Sequence, residues 1–219
     1  QRRRLLADVG HELRTPLTVV RGEIEAMLDG VHQPDESHLE LLLEEVAVME
    51  RLLGDLRTLS LAEAGALALH MEPTDLAALI ADVGEAHRRS AAEREVRITV
   101  DVPDIGGDLL IDPVRIREVL TNLVVNALRA MSDGGTLQLT GRSTPDRMLL
   151  EVGDTGSGIE ADDVEEVFER FRKGSTSSGS GLGLTISRDL VEAHGGTITL
   201  ESVRGEGTTV RIALPRVEG

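Results

Sequence analysis

Apolar residues in the first part of the chain recur at steps of three and four. Leu6, Val9, Leu13, Val20, Ile24, Met27 and Val31 form one series, and Leu39, Leu42, Val46, Met49, Leu53 and Leu56 form a second. Such steps place apolar side chains on one stripe of a helix and predict two bundle helices. His32-Gln33-Pro34-Asp35-Glu36-Ser37 separates them with a proline and polar residues suited to a short connection and a helix start. Two helices alone bury little, so the pattern predicts an antiparallel hairpin that dimerises into a four-helix bundle. Pro16 falls inside the first helix and is expected to bend it, because proline removes a backbone hydrogen bond.

After Ala64-Gly65-Ala66 the pattern changes. Helices are predicted over 74–92, 113–131 and 182–193. Strands are predicted over 96–100, 109–111, 136–140, 148–152, 197–200 and 208–214. Residues 154–181 read as a long connection rich in Gly and Ser, broken by a short apolar and acidic piece over 164–171. The expected fold class is therefore α+β: a helical domain over 1–65 and a layered α/β domain over 66–219.

Composition narrows the function. Lys and Arg number 23 against 39 Asp and Glu, a formal charge of −16 over 219 residues. That balance argues against a nucleic-acid partner, whose phosphates require positive potential. The chain has no cysteine, which removes disulfides and thiolate metal sites. No apolar run approaches the roughly 20 residues of a membrane span. The chain opens at Gln1 within a basic, helical-looking segment and reads as part of a longer protein. Any membrane anchor or sensor is expected in segments outside it.

Three groups of residues carry candidate chemistry. His11 and Glu12 put an imidazole beside a carboxylate on the first helix, the layout of a nucleophile with a proton acceptor. Glu118, Asn122 and Asn126 are four apart on one helix face, with Arg129 close to it. Two amides one turn apart suit a hard cation such as Mg²⁺, and Arg129 suits a phosphate. Asp154-Thr155-Gly156-Ser157-Gly158 and Gly179-Ser180-Gly181-Leu182-Gly183 are glycine-rich, and the second opens a helix, where backbone N–H groups attract anions. Each group alone also suits a solvated helix face or a flexible loop; their joint occurrence is what carries weight.

Together these segments resemble the catalytic core of two-component sensor histidine kinases. His11-Glu12-Leu13-Arg14-Thr15-Pro16 is similar to the phosphoacceptor box, and Asn122-Leu123-Val124-Val125-Asn126-Ala127 to the asparagine box. The two glycine segments are similar to the glycine boxes, with Phe168-Glu169-Arg170-Phe171 between them as the phenylalanine box. Gly205-Glu206-Gly207-Thr208 resembles the final turn that supports the nucleotide. The resemblance implies a dimeric hairpin joined to an ATP-binding α/β sandwich of the gyrase and histidine-kinase type. It implies that Asp154 contacts the adenine amine, and that Asn126 with Asn122 holds Mg²⁺. Arg129 and the Arg170-Phe171-Arg172-Lys173 segment would lie near the phosphates. Residues 158–181 would form a lid, with Phe168 and Phe171 as its packing anchors. The partners implied are a second copy and the receiver domain of a cognate response regulator, on the cytoplasmic side of a membrane-anchored sensor.

The chain departs from the family pattern at Gly10, where Ser is usual, and at Ala130, where an aromatic residue is common. Ala130 removes a stacking surface for adenine. Neither change removes a group that phosphoryl transfer needs. Thr15, one turn after His11, corresponds to the position that orients a water against the regulator's aspartyl phosphate, which implies phosphatase activity. Two rivals remain: a gyrase-type ATPase, and a dimeric scaffold that binds nucleotide without chemistry. The ATPase needs a carboxylate one turn before the metal-binding Asn, and that position holds the amide of Asn122.

Overall fold

The computed structural model describes residues 2–103, 108–164, 166–168 and 181–216, with side chains from Val9 onward. Leu6 of the first apolar series falls outside the described side chains. The chain divides into two compact units, residues 1–60 and 61–219.

In the first unit, α1 (Arg2–Leu28) and α2 (Glu36–Glu63) are the two expected helices. α1 runs through Pro16 as one continuous helix. Pro16 has no N–H to give the Glu12 carbonyl, and two residues on the Thr18 hydroxyl donates to the Arg14 carbonyl at 2.8 Å. Gly30 ends the helical run in the left-handed region, φ +71°. The N–H groups of Val31 and His32 both reach back to the Ala26 carbonyl, at 2.9 and 3.1 Å. Asp35 opens α2, accepting from the His38 N–H at 3.1 Å and the Ser37 hydroxyl at 2.8 Å. That backbone bond, then the bonds from the Ser37 hydroxyl and the His38 ring, draw its carboxyl down to about 2. Leu17, Leu28, Leu43 and Leu53 of these helices remain more than half exposed.

The second unit runs β1 (Glu72–Thr74), α3 (Leu76–Ala86), α4 (Arg88–Ala92), β2 (Val96–Asp101), β3 (Leu109–Ile111), α5 (Pro113–Ala130), β4 (Gly135–Ser143) and β5 (Arg147–Asp154). It continues with α6 (Ala161–Val164), α7 (Gly183–Ala193), β6 (Thr197–Val203) and β7 (Gly207–Pro215). The helix expected over 74–92 is a strand and two helices instead. Asp75 caps α3 by accepting from the Ala78 N–H at 3.0 Å, which leaves residues 72–74 free to pair with β3. At the other end the His87 ring bonds the Val83 carbonyl at 2.9 Å. The backbone N–H of His87 turns to Gly84 instead, at 3.3 Å, and the helix breaks there.

Five strands form one sheet in the order β2-β4-β5-β7-β6. β2 and β4 are parallel and every other pairing is antiparallel. Alternate residues face inward: Leu137 and Leu139 of β4, Met148, Leu150 and Val152 of β5, and Val210, Ile212 and Leu214 of β7 are buried. α3, α5 and α7 pack against the sheet. The outer face is polar, with Arg211 bridging Glu151 and Glu201 at 2.8 and 2.6 Å. This is the expected two-layer α/β sandwich.

Candidate functional site

α5 is the central helix of the site. Asp112 caps its start: Oδ1 accepts from the N–H groups of Val114 and Arg115 at 3.1 Å each, and Oδ2 from that of His70 at 2.9 Å. Burial pushes the Asp112 carboxyl up, but the three backbone donors together outweigh it and hold the group below its usual range. Ile116, Val119, Leu120, Leu123 and Val124 are buried and fix the rotation of the helix. Glu118, Asn122 and Asn126 then fall on half-buried positions. Glu118 is engaged by Arg115 at 2.9 Å.

Asn122 lies against the start of α7. A Cβ added at Gly183 would stand 3.7 Å from Asn122 Cγ, an ordinary van der Waals contact, so the start of α7 lies directly beside the amide. Asn122 Nδ2 is buried and has no hydrogen-bond partner among the described residues. An orphaned buried donor costs about 1–3 kcal/mol, which a ligand oxygen at that point would offset. α7 begins at Gly183 with no side-chain cap from Leu182, whose own side chain is buried. Gly181, just before it, is left-handed at φ +69°. The site therefore pairs an unpartnered amide with the positive end of a helix.

The other glycine segment closes on the far end of α5. The Ser157 N–H donates to the Ala130 carbonyl at 3.0 Å. A Cβ at Gly156 would lie 2.7 Å from that same oxygen, so only glycine lets the loop approach α5 this closely. Gly158, at φ +64°, packs its Cα against the Val203 carbonyl and leaves no room for a side chain. Asp154 Oδ1 accepts from the Gly156 N–H at 2.8 Å. Burial pushes the Asp154 carboxyl up, against the pull of the Gly156 and Thr208 backbone N–H groups. Thr208, at the start of β7, shares a hydroxyl bond with Ser202 at 2.9 Å, and Ser202 accepts from the Ile159 N–H at 2.8 Å.

The fold thus gathers Asn122, Leu182 and Gly183 around the middle of α5, and Asp154, Gly156, Gly158 and Thr208 near its end. Asn122 and Ala130 are separated by about 12 Å along the helix axis at 1.5 Å per residue. Arg129 is exposed on the last turn, beside Ala130 in sequence rather than beside Asn122. Phe168 is half-buried beside α7: its carbonyl accepts from Thr185 Oγ1 at 2.9 Å and Arg188 lies 5.8 Å from its ring. Gly179, Phe171 and the Arg170-Phe171-Arg172-Lys173 segment lie outside the described residues. In the first unit, His11 and Thr15 are exposed on α1 and Glu12 is half-buried.

Sequence reading missed Ser202 and Thr155, which brace the Asp154 loop. Thr155 Oγ1 accepts from the Thr136 N–H at 3.0 Å. Their partners lie 43 and 19 residues away, so no local pattern marks them.

Known proteins show the same arrangement. Residues 1–65 match the His Kinase A (phospho-acceptor) domain, and residues 111–218 match the histidine kinase-, DNA gyrase B-, and HSP90-like ATPase family. The chain is 36% identical over 219 residues to the signal transduction histidine-protein kinase BaeS of Escherichia coli (strain K12), covering 98% of this chain and 47% of that protein. The solved histidine kinase AdeS of Acinetobacter baumannii superposes with a TM-score of 0.80 at 31% identity, over 95% of this chain and 98% of that one. The solved full-length ShkA, in complex with AMPPNP, superposes with a TM-score of 0.75 at 27% identity, over 99% of this chain and 46% of that one.

A phosphoacceptor-type helical unit followed by an ATPase-type sandwich defines a histidine kinase catalytic core. The chain belongs to the histidine kinase family, and it spans less than half the length of the curated relatives it matches.

Proposed function

We propose that this chain transfers the γ-phosphoryl group of ATP to its own His11 and then to an aspartate of a response regulator. Residues 66–219 bind the nucleotide, and residues 1–65 present the histidine and dimerise. The observation that carries the nucleotide reading is the buried Asn122 amide, without a hydrogen-bond partner among the described residues, beside the N-terminus of α7, where a helix favours anions. A phosphate oxygen at that point satisfies the amide. Asp154, at the other end of the line along α5, accepts from the adenine amine. Arg129, exposed at the Asp154 end of α5, is the cation assigned to the phosphates.

The amide oxygens of Asn122 and Asn126 are hard donors one turn apart, a set that suits Mg²⁺ together with water and phosphate oxygens. When bound there, the ion supplies neutralisation of phosphate charge. The protein supplies the remaining parts. The exposed imidazole of His11 attacks the γ-phosphorus through a ring-nitrogen lone pair, and ADP leaves. Glu12 accepts a hydrogen bond from the other ring nitrogen and stabilises the charge that develops on the ring. Thr15, one turn on, orients a water during dephosphorylation of the regulator.

The exposed leucines of α1 and α2 support a homodimer, since a second copy covers them in a four-helix bundle. No helix among the described residues is long and apolar enough to cross a membrane. ATP and receiver domains are cytoplasmic reactants, which supports reading this core as the cytoplasmic portion of a membrane-anchored sensor. The gyrase-type ATPase is disfavoured because Asn122 stands where a base is needed and Glu118 is tied to Arg115.

The deciding experiment incubates wild type and His11→Gln with γ-labelled ATP and Mg²⁺, followed by acid and base treatment. Label on wild type alone, lost in acid and kept in base, is the expected result. Free phosphate without protein label would instead support the ATPase, and neither product would support a nucleotide-binding scaffold.

A further inference from the structure

Away from the nucleotide site, three ligand-type side chains converge where α1 turns into α2. Glu23 comes from α1, His32 from the connection, and His38 from the first turn of α2. One ligand atom from each lies within 4.8 Å of the others. Glu23 Oε1 is 2.7 Å from His32 Nδ1 and 3.6 Å from His38 Nε2. The Glu23 side chain is only 10% exposed, and among the described residues its ion-pair partners are these two imidazoles. A carboxylate this buried is stabilised by a positive charge close to it.

The outer contacts are those of a metal-ligating histidine. His38 Nδ1 bonds Asp35 Oδ1 at 2.6 Å. That contact fixes the proton on Nδ1 and turns the Nε2 lone pair toward Glu23 and His32. A carboxylate behind a ligating imidazole sets its tautomer and raises its basicity. His32 gives Nδ1 to the same point, its proton moving to Nε2 when the lone pair is used. Two imidazole nitrogens and one carboxylate oxygen suit Zn²⁺ and its neighbours in the first transition row far better than Mg²⁺ or Ca²⁺.

We propose that Glu23, His32 and His38 form a transition-metal site of the Zn²⁺ class that staples the two helices at their closed end. A fourth coordination position is left for water. Bonds of about 2.0–2.2 Å at tetrahedral angles hold ligand atoms about 3.3–3.6 Å apart, so the ion replaces the 2.7 Å Glu23–His32 contact and opens that pair slightly, and placement of the ligands on both helices and the connection means that binding fixes the angle at the turn. The site stands independently of the kinase assignment.

The test is calorimetric titration of the full chain with Zn²⁺ in excess Mg²⁺, paired with thermal melts. Wild type is expected to bind one Zn²⁺ per chain and to melt higher with Zn²⁺ than with chelator. His32→Gln and His38→Gln are expected to bind at least about tenfold more weakly and to lose the melting shift. Asp35→Asn keeps a helix cap but gives up the ionised form the folded chain favours, so its metal-free melt falls somewhat, and its Zn²⁺ affinity falls about 10–100-fold. His70→Gln, outside the cluster, is expected to bind as wild type does. Absence of saturable Zn²⁺ binding, or binding that survives both His32→Gln and His38→Gln, overturns the proposal.

Discussion

The backbone N–H of Asp112 donates to Nε2 of His194 at 3.1 Å, joining the start of α5 to the end of α7 across 82 residues of sequence. The other ring nitrogen bonds the Leu190 carbonyl at 2.7 Å. The ring is 6% exposed and satisfied on both sides as the neutral tautomer with its proton on Nδ1. This buried bond helps set α5 against α7, and that packing places Asn122 beside Gly183.

His194→Leu leaves the Asp112 N–H buried without an acceptor, which should destabilise the fold by about 1–3 kcal/mol. Nucleotide affinity should fall with it as α5 and α7 lose their alignment. His194→Gln offers a carbonyl in the same region and should restore part of both. Urea unfolding with a fluorescent ATP analogue reads the two effects. Equal stability of the Leu variant and wild type would contradict the role given to the ring.

Two glycines should respond to alanine with opposite sign. At Gly158 a Cβ meets the Val203 carbonyl in a left-handed backbone, so Gly158→Ala should displace the Asp154 loop and abolish ATP binding. At Gly10 a Cβ meets nothing within 4 Å on a regular helix. Gly10→Ala should therefore raise stability, by about 1 kcal/mol from helix propensity. Nucleotide titration and thermal melts separate the cases. A Gly158→Ala variant that binds normally would show that the loop tolerates the shift.

The long periodic segments and glycine-rich turns were readable in the sequence because their causes are local. α1, α2 and α5 follow from apolar spacing, and the end of α2 follows from Gly65 at φ +62°. The break at His87 was not readable, because a side chain taking the Val83 carbonyl leaves no trace in hydrophobic pattern. β1 is three residues long, too short to show alternation. Within the candidate site, residue types along α5 singled out Asn122 and Asn126. The burial of the Asn122 amide against Gly183 depends on how α5 packs on α7. Pairs such as Asp112 with His194 meet only after the sheet has formed.

Thr15 is exposed on the same helix face as His11. Thr15→Ala should leave autophosphorylation within about twofold of wild type, because it alters neither imidazole nor carboxylate. Dephosphorylation of the phosphorylated regulator should slow by about tenfold or more, a loss of the size expected when one water-positioning group is removed. Parallel assays of kinase and phosphatase rates distinguish this from a folding defect. Loss of both activities together would remove Thr15 from the phosphatase role.

Asp154 makes the pH behaviour of the nucleotide-free protein diagnostic. Burial raises its folded-state pKa above the ordinary 3.8. Between 3.8 and the raised value the folded chain holds more protons than the unfolded chain. The Asp154 contribution to stability therefore falls as pH rises through that window and stays lower above it. Asp154→Asn cannot ionise, so without nucleotide it should gain stability relative to wild type on going from pH 3 to pH 7. Its ATP affinity should drop at least about tenfold, because a neutral acceptor replaces a charged one toward the adenine amine. Denaturant unfolding across pH, with ATP titration at neutral pH, measures both. A structural aspartate would lose stability on substitution, whereas a ligand-directed one gains stability and loses binding. An Asp154→Asn variant that binds ATP as wild type does would take the adenine contact away from this residue.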